Sequence, residues 1–188
     1  MYWQVYLHKT VLSAEQMLIK TIERIKFLLS VGKLKVEHLS IHRFLSISPG
    51  LGNFQNSKSL LNAYCELDDL DIGHLLKIAS KSNDQVLSHL SKSLIYRRLF
   101  KLEFVHAEIG DLIEKYRLKE RKRWGMDADE IKFLVFGGKE SNIEYSTNTE
   151  EILILRKNES VEPISSMLDF KLSDKTLTKS YICYPKQG

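Results

Sequence analysis

The longest regular feature of the sequence is an apolar pattern near its start. Apolar side chains recur at steps of three and four, at Trp3, Leu7, Val11, Ala14, Leu18, Ile22, Ile25 and Leu29. These steps match the period of an α-helix, and Gly32 supplies a C-terminal stop. The pattern predicts an amphipathic helix from Met1 to about Ser30. Left unburied, the stripe would form a larger apolar patch than a soluble monomer usually tolerates, so we expect it to need a packing surface.

Composition places the chain among soluble globular proteins. Its 188 residues are 43% hydrophobic and 28% charged, enough for one ordinary domain or two small ones. The net charge of +4 suits an anionic ligand without requiring one. Neither a secretory signal nor a membrane span is recognisable, so we expect a cytoplasmic protein without a membrane partner. Cys65 and Cys183 lie far apart and lack CxxC partners, which favours reduced structural thiols.

After the first helix the sequence predicts a weaker region and then a helical pair. "KVEHLSIHRFLS" is typical of a short helix, and the stretch from Pro49 to Ala63 is predicted as loop with a helical turn. Asp68-Asp69 and Asn83-Asp84 can each cap a following helix by accepting hydrogen bonds from its first free amides. The core residues expected on these two helices are Ile72, Leu75, Leu76, Ala79, Val86, Leu87, Leu90, Leu94 and Ile95.

From about residue 100 the pattern changes to alternating apolar residues. "LFKLEFVHAE", "IKFLVFG", "SNIEYS", "EEILILRKN" and "YICYP" are predicted strands. Helices are expected over residues 108–123 and, briefly, 173–179, and Gly137-Gly138 is expected to form a hairpin turn. The order predicts an α+β protein. Residues 1–100 would form a helical portion, with the long first helix and the helical pair, and residues 101–188 a mixed αβ subdomain with a mostly antiparallel sheet.

Motifs for several common catalytic sites are missing. The sequence contains no HExxH, no His-Asp pair, no phosphate-binding loop and no G-x-S-x-G. His38 and His42 are spaced to face one metal, but no carboxylate accompanies them at a convincing spacing. The acidic residues from Asp68 to Asp71 are better explained by helix capping than by a metal site.

Two basic groupings remain as candidate anion sites. Tyr2, Tyr6, Lys9 and Ser13 would share one stripe of the first helix, where the tyrosines could hold a base or sugar and Lys9 its phosphate. Arg97 and Lys101 lie four residues apart in "YRRLFK", a spacing that suits a polyphosphate clamp. Ordinary surface charge explains the spacing of either group equally well.

These same segments resemble the HD-domain phosphohydrolases. "VYLHKTVLSAEQMLIKTIERIKFLL" resembles the helix downstream of the catalytic core in that family, which includes the HD-type dNTP triphosphohydrolases. "LDDLDIGHLLKIASKSNDQVLSHLSKSLIYRRLFK" continues the resemblance, with a Y-R-x-L-F-K signature from Tyr96 to Lys101. The segments "SNIEYS", "ILILRKNESVEPISS" and "YICYPK" are similar to the C-terminal αβ part of an uncharacterised bacterial branch.

The resemblance implies what this chain would contain and lack. In the family, the metal-binding histidines and the His-Asp pair occupy the preceding part of the chain. We therefore expect this chain to be a C-terminal portion, whose catalytic residues and metal ligands lie elsewhere, with the missing N-terminal HD portion as partner. No cofactor is expected in this portion, and a divalent transition metal or Mg²⁺ is expected in the intact enzyme.

Individual positions also follow from the resemblance. Tyr6 matches the family tyrosine that packs on the substrate's sugar, and Tyr2 lies one turn before it. Leu7 stands where a relative has an amide that helps to read the nucleotide, and this departure puts dNTP as the substrate in doubt. The family's regulatory nucleotide site, at subunit contacts, is matched by His8, Lys9, Arg97 and Lys101.

The predicted function is therefore that of the C-terminal part of a metal-dependent HD-family phosphohydrolase acting on a nucleotide or other phosphate ester. This part would supply a substrate wall, a possible regulatory anion site and homo-oligomer contacts, and would be inactive alone. The alternative is a non-catalytic binding module that uses the basic helix Lys115–Arg123 for nucleic acid or a partner protein. That helix lacks interleaved stacking aromatics, which makes nucleic acid a less favoured partner.

Overall fold

The computed structural model of the protein describes residues 7–36, 39–105, 108–142, 153–157, 159–163 and 177–186. The helices in these ranges are α1 (Lys9–Ser30), α2 (His42–Ile47), α3 (Leu51–Asn56), α4 (Lys58–Cys65), α5 (Asp69–Ala79), α6 (Gln85–Ile95), α7 (Ile109–Trp124) and α8 (Ala128–Ile131). The strands are β1 (Lys101–Val105), β2 (Phe136–Asn142), β3 (Leu153–Leu155), β4 (Val161–Pro163) and β5 (Leu177–Tyr184). Helices α1 to α6 precede the first strand, α7 and α8 lie between β1 and β2, and the strands pair antiparallel, which confirms the predicted α+β class.

The long first helix, α1, has a defined start and end. His8 is its N-cap: the backbone of His8 is extended, and its Nδ1 accepts a hydrogen bond from the Thr10 N–H at 3.3 Å. At the other end Gly32 adopts a left-handed φ of 68°, which glycine tolerates without strain. The predicted helical residues Met1–Tyr6 lie outside the described residues. Neither α1 nor any other described helix is long and apolar enough to cross a membrane.

The buried face of α1 overlaps the predicted stripe at Ile25, and at Met17 and Leu28, which were expected with Phe27 to widen it, but differs elsewhere. The side chains that α1 buries are Leu12, Ser13, Met17, Thr21, Arg24, Ile25 and Leu28. Val11, from the predicted stripe, is 49% exposed. The displacement has a physical cause, because the buried face contains polar groups that find partners. Arg24 Nη2 lies 2.6 Å from Asp84 Oδ2, and Thr21 Oγ1 donates to the Met17 carbonyl at 2.7 Å.

The predicted helical pair is present as α5 and α6, and its capping residues are those expected. Asp68 Oδ1 accepts from the Leu70 N–H at 2.8 Å, and Asp84 Oδ1 accepts from the Leu87 N–H at 2.8 Å. Capping thus accounts for Asp68. The preceding segment is more helical than predicted, since α3 and α4 replace the expected loop. Ser57 caps α4 by accepting from the Leu60 N–H at 3.2 Å.

The larger sheet has β5 at its centre, in the order β1-β5-β2. Both neighbours are antiparallel to β5. Cys183 of β5 lies opposite Leu102 of β1 on one side and opposite Phe136 of β2 on the other. The C-terminal half of β5 is buried from Tyr181 to Tyr184, as suits a strand that is paired on both edges. A second, two-stranded sheet pairs β3 with β4.

The predicted turn at Gly137-Gly138 is wrong, since both glycines lie inside β2. A Cβ on Gly137 would lie 2.5 Å from the Tyr181 carbonyl oxygen and 2.9 Å from Ile113 Cδ1. A Cβ on Gly138 would lie 2.8 Å from the Tyr181 hydroxyl oxygen. These glycines allow α7 and β5 to approach the strand closely, and they do not reverse the chain.

Two predicted strand or helix boundaries also differ, and a third element is largely untested. The expected strand from Ile131 begins at Phe136, because Asp127 caps the short helix α8 by accepting from the Glu130 N–H at 2.7 Å. Leu177–Lys179, predicted as helix, belong to β5, and the rest of that predicted helix lies outside the described residues. Most of the predicted strand "SNIEYS" also lies outside them, apart from Ser141 and Asn142 in β2.

The described core forms two clusters. One joins α1 and α6 to the sheet and to α8, and its members include Leu12, Leu90, Phe100, Ile131 and Ile182. The other lies among α1, α2, α5 and α6 and includes Ile25, Leu28, Leu45, Leu75 and Ala79. The first cluster contains residues from both sides of residue 100, and the two-part division of the chain stays a prediction.

Both cysteines are free thiols, in different environments. Cys65 is exposed on α4, whereas Cys183 is fully buried in β5. Burial raises the pKa of the Cys183 thiol to about 12, which keeps it protonated and unreactive at neutral pH. This arrangement agrees with the predicted reduced thiols.

Gly137→Ala should lower the free energy of unfolding by about 2–3 kcal/mol, because the added Cβ forces the backbones of β2 and β5 apart. Gly73→Ala in α5 is the control: a Cβ there meets nothing within 4 Å, and alanine should stabilise the helix by roughly 0.5–1 kcal/mol. Urea denaturation of both variants measures the difference. Equal stabilities would contradict the close approach at Gly137.

Candidate anion-binding site

The segment that contains Arg97 and Lys101 is anchored to α1 through Phe100. The Phe100 N–H donates to Met17 Sδ at 3.2 Å, and the Phe100 carbonyl accepts from Ser13 Oγ at 2.9 Å. Ser13, Met17 and Phe100 are all buried, so these bonds are shielded from water. The anchor fixes the position of the two basic residues relative to α1.

Arg97 occupies a backbone position that usually favours glycine. Its φ is 53°, in the left-handed region. The Arg97 N–H donates to the Leu94 carbonyl at 3.2 Å, and the Arg98 N–H donates to the Ser93 carbonyl at 2.8 Å. These two bonds form the Schellman motif that closes the end of α6.

The end of α1 shows the same motif with glycine. The Gly32 N–H donates to the Leu29 carbonyl at 3.0 Å, and the Lys33 N–H donates to the Leu28 carbonyl at 2.8 Å. An arginine in the equivalent position bears a strain that a glycine would avoid, roughly 1–2 kcal/mol. Arg97 therefore presents an exposed side chain on a strained turn.

Lys101 and Lys9 lie around a carboxylate that the sequence analysis did not single out. Lys101 Nζ forms an ion pair with Glu103 Oε1. The hydrogen bond from Lys101 lowers the pKa of Glu103, and the positive charge of Lys9 lowers it further. The same hydrogen bond raises the pKa of Lys101. Alternation along β1 could have revealed this neighbour, because residues two apart in a strand share a face.

The predicted residues divide among several surroundings. Arg97 lines an apolar groove of about 860 Å³ together with Val11 and Leu18, whereas Lys101 lines a cavity of about 390 Å³ with Tyr116 and Tyr184. Arg97 and Lys101 thus line two different cavities.

The remaining predicted site residues lie at or before the start of α1. His8 is exposed and caps the helix, and Lys9 is exposed with its Nζ 5.8 Å from the centre of the Phe104 ring. Tyr2 and Tyr6 lie outside the described residues. The backbone of His8 is extended, so Lys9 is the first residue of α1.

The tyrosines beside Lys101 form a pair that the sequence analysis missed. The rings of Tyr116 and Tyr184 lie 4.3 Å apart between centroids, and their hydroxyl oxygens are 3.5 Å apart. Burial is the main cause of a raised pKa at Tyr184, so its hydroxyl stays protonated and able to donate a hydrogen bond. The two tyrosines are distant in sequence, and no local pattern predicts their contact.

No three His, Cys, Asp or Glu side chains among the described residues lie close enough together to hold an ion. His42 Nε2 lies 3.0 Å from Ser46 Oγ, and His38 lies outside the described residues.

The basic helix of the alternative interpretation is α7. Its cations are only partly available to a ligand, since Arg117 Nη1 pairs with Glu114 at 2.7 Å and Arg123 Nη1 lies 3.4 Å from Glu120. Lys115, Lys119 and Lys122 are exposed on the same helix.

No family model matches the chain, but similar proteins are known. The chain is 36% identical over 100 residues to the uncharacterized protein YwfO of Bacillus subtilis (strain 168), a match that covers 53% of this chain and 21% of YwfO. It also matches the crystal structure of a phosphohydrolase from Bacteroides thetaiotaomicron VPI-5482, with a TM-score of 0.81 and 34% identity. That match covers 99% of this chain and 47% of the Bacteroides protein. The chain thus spans less than half of either relative.

Arg97→Gly should raise the free energy of unfolding by about 1 kcal/mol, because glycine removes the left-handed strain but adds freedom to the unfolded chain. Gly32→Arg, in the same motif at the end of α1, should lower it by a similar amount. Urea denaturation of the two variants provides the comparison. A marked loss of stability in Arg97→Gly would show that side-chain contacts, and not backbone strain, dominate at this position.

Proposed function

We propose that this chain is part of a phosphohydrolase of the HD class that acts on a nucleotide or another phosphate ester. The observation that carries the proposal is the match to the Bacteroides phosphohydrolase over 99% of this chain, at 34% identity and a TM-score of 0.81. The sequence resemblance described above supplies the HD class. In such an enzyme a divalent metal, when bound, supplies an activated water and stabilises negative charge on the phosphoryl oxygens.

In this proposal the described residues bind the phosphate ester and do not carry the metal. Arg97 holds an exposed guanidinium on a turn that two backbone hydrogen bonds fix, so its backbone need not rearrange when the side chain contacts a phosphate. Lys9 and Lys101 add two ammonium groups near Glu103. Tyr6 and His8 are assigned to the substrate and regulatory sites by the sequence resemblance alone.

The ion pair between Lys101 and Glu103 has to open for Lys101 to bind a ligand. Exposed ion pairs are weak, and a phosphate brings more negative charge and more acceptor oxygens than one carboxylate. A phosphate can therefore replace Glu103 as the partner of Lys101.

An apolar groove beside Arg97 supports the predicted contact with another part of a larger assembly. The groove is lined by Val11, Ala14, Leu18, Leu76 and Leu94, and Val11 is 49% exposed. Apolar side chains of this kind are commonly covered in an oligomer. In this proposal the groove contacts the remaining HD portion or a second subunit.

The anion site is tested with Arg97→Ala/Lys101→Ala. A panel of nucleoside triphosphates and simpler phosphate esters should raise the melting temperature of the unmodified chain, and the double variant should bind the best of them at least about tenfold more weakly, since charge-assisted bonds are lost. Lys33→Ala/Lys35→Ala removes the same net charge at exposed positions and should leave binding nearly unchanged. Equal weakening of ligand binding in both double variants would show that Arg97 and Lys101 act only as ordinary surface charges.

The hydrolase assignment is tested by a chimera. The part of the Bacteroides phosphohydrolase that matches this chain is replaced by this chain, and the parent rebuilt with the same junctions serves as the control. The chimera should release phosphate in the presence of a divalent metal from esters that the parent hydrolyses, and this chain alone should release none. A chimera that folds like its parent but releases no phosphate would contradict the assignment.

A further inference from the structure

A second basic cavity lies on the other side of the Arg97 turn. It measures about 570 Å³ and is formed by the last turns of α6, the segment after α6, the end of α7 and the residues after β5. A volume of this order falls within the range of small-molecule sites in proteins. Neither Arg97 nor Lys101 lines it.

Aromatic rings form one wall of this cavity. The rings of His89 and Trp124 meet edge to face with centroids 4.5 Å apart. Trp124 Nε1 donates to Glu120 Oε2 at 3.0 Å, and Glu120 is only 1% exposed, so the indole is held in place from behind. Tyr96 lies at the mouth, 66% exposed, with the Arg98 guanidinium 5.8 Å from its ring centre. A flat ligand would find a fixed indole and an exposed tyrosine ring here.

Four cations from separate parts of the chain line the same cavity, and none of the described lining residues is acidic. They are Lys92, Arg98, Arg123 and Lys186. Arg123 is partly neutralised by Glu120, whose carboxylate lies 3.4 Å away. Within the described part of the chain, Lys92, Arg98 and Lys186 form no ion pair.

These cations repel one another, and their charges affect the pKa of His89. Burial lowers the pKa of His89, and the charges of Arg123 and Lys92 lower it further. A bound anion would relieve this repulsion, so part of its binding free energy comes from the arrangement of the protein itself.

We propose that this cavity binds a phosphate-bearing ligand with an aromatic ring, of the size of a nucleoside diphosphate. The ring contacts Tyr96 and Trp124, and the phosphates contact Lys92, Arg98 and Lys186. Two or more converging cations match a diphosphate better than a single carboxylate. The limited volume favours a mononucleotide over a nucleic-acid strand. The inference does not depend on the proposed hydrolase function.

The test uses calorimetric titration of the chain with ADP, pyrophosphate and adenosine at physiological ionic strength. ADP should bind at least about tenfold more tightly than either fragment, because only ADP contacts both the rings and the cations. Lys92→Ala/Arg98→Ala should weaken ADP binding by at least about tenfold. Lys58→Ala/Lys81→Ala is the control with the same charge change at exposed positions, and it should bind ADP nearly as the unmodified chain does.

Two further variants separate the parts of the proposal. Tyr96→Ala should weaken ADP binding and leave pyrophosphate binding unchanged. Arg97→Ala/Lys101→Ala should leave ADP binding at this cavity intact, measured by the NMR signals of the His89 ring. Those signals should titrate at higher pH when ADP is bound, since the phosphates offset the charges of Lys92 and Arg123 that face the ring, together with Arg98 and Lys186 across the cavity.

Several outcomes would overturn the proposal. These are the absence of ADP binding, an equal loss of binding in the Lys92/Arg98 and Lys58/Lys81 double variants, and unchanged His89 signals on addition of ADP. If a short oligonucleotide competes more strongly than ADP, the cavity is part of a nucleic-acid-binding surface and not a mononucleotide site. All variants alter exposed side chains, and their melting temperatures without ligand should match that of the unmodified chain.

Discussion

The arrangement of the described chain depends on how α1 satisfies the buried peptide groups of Phe100. At this residue the chain leaves the helices and enters the sheet, and both polar groups of its backbone bond to α1, through Met17 and Ser13. Ser13 Oγ also lies 3.8 Å from Cys183 Sγ in the central strand. A buried donor or acceptor without a partner costs roughly 1–3 kcal/mol, so any shift of α1 along the sheet is opposed at several points at once.

The same anchor explains why consecutive basic residues have different surroundings. Arg97 adopts a left-handed backbone before the chain extends toward Phe100, so neighbouring side chains leave in different directions. Arg97 lines the groove beside α1, Arg98 lines the cavity with Trp124, and Lys101 lines the cavity with Tyr184. Basic residues that are close together in the sequence, and that predict one clamp, therefore line three different surfaces in the fold.

Features governed by local chemistry were predictable from the sequence. Asp68 and Asp84 cap the helices that follow them, because a carboxylate beside free amides needs no distant partner. The helical pair, β1 and β5 were likewise identified from periodicity.

Features governed by distant partners were not predictable. Gly137 was assigned to a turn because only Tyr181 and Ile113 reveal the close approach that requires it. Arg24 was overlooked in the core because its partner Asp84 is 60 residues away.

The same distinction limits what could be said of the candidate sites. Spacing identified Arg97 and Lys101, but it could not show that Glu103 pairs with Lys101 or that Arg97 bears a conformational strain. Those two observations have opposite consequences for ligand binding by the two residues. The pair with Glu103 gives Lys101 a structural explanation that needs no ligand. The left-handed backbone of Arg97 has no such explanation, because glycine closes the equivalent turn at Gly32 with the same two hydrogen bonds. Of the predicted basic pair, Arg97 is therefore the stronger candidate for ligand binding. Lys101 becomes a candidate only where a phosphate displaces Glu103.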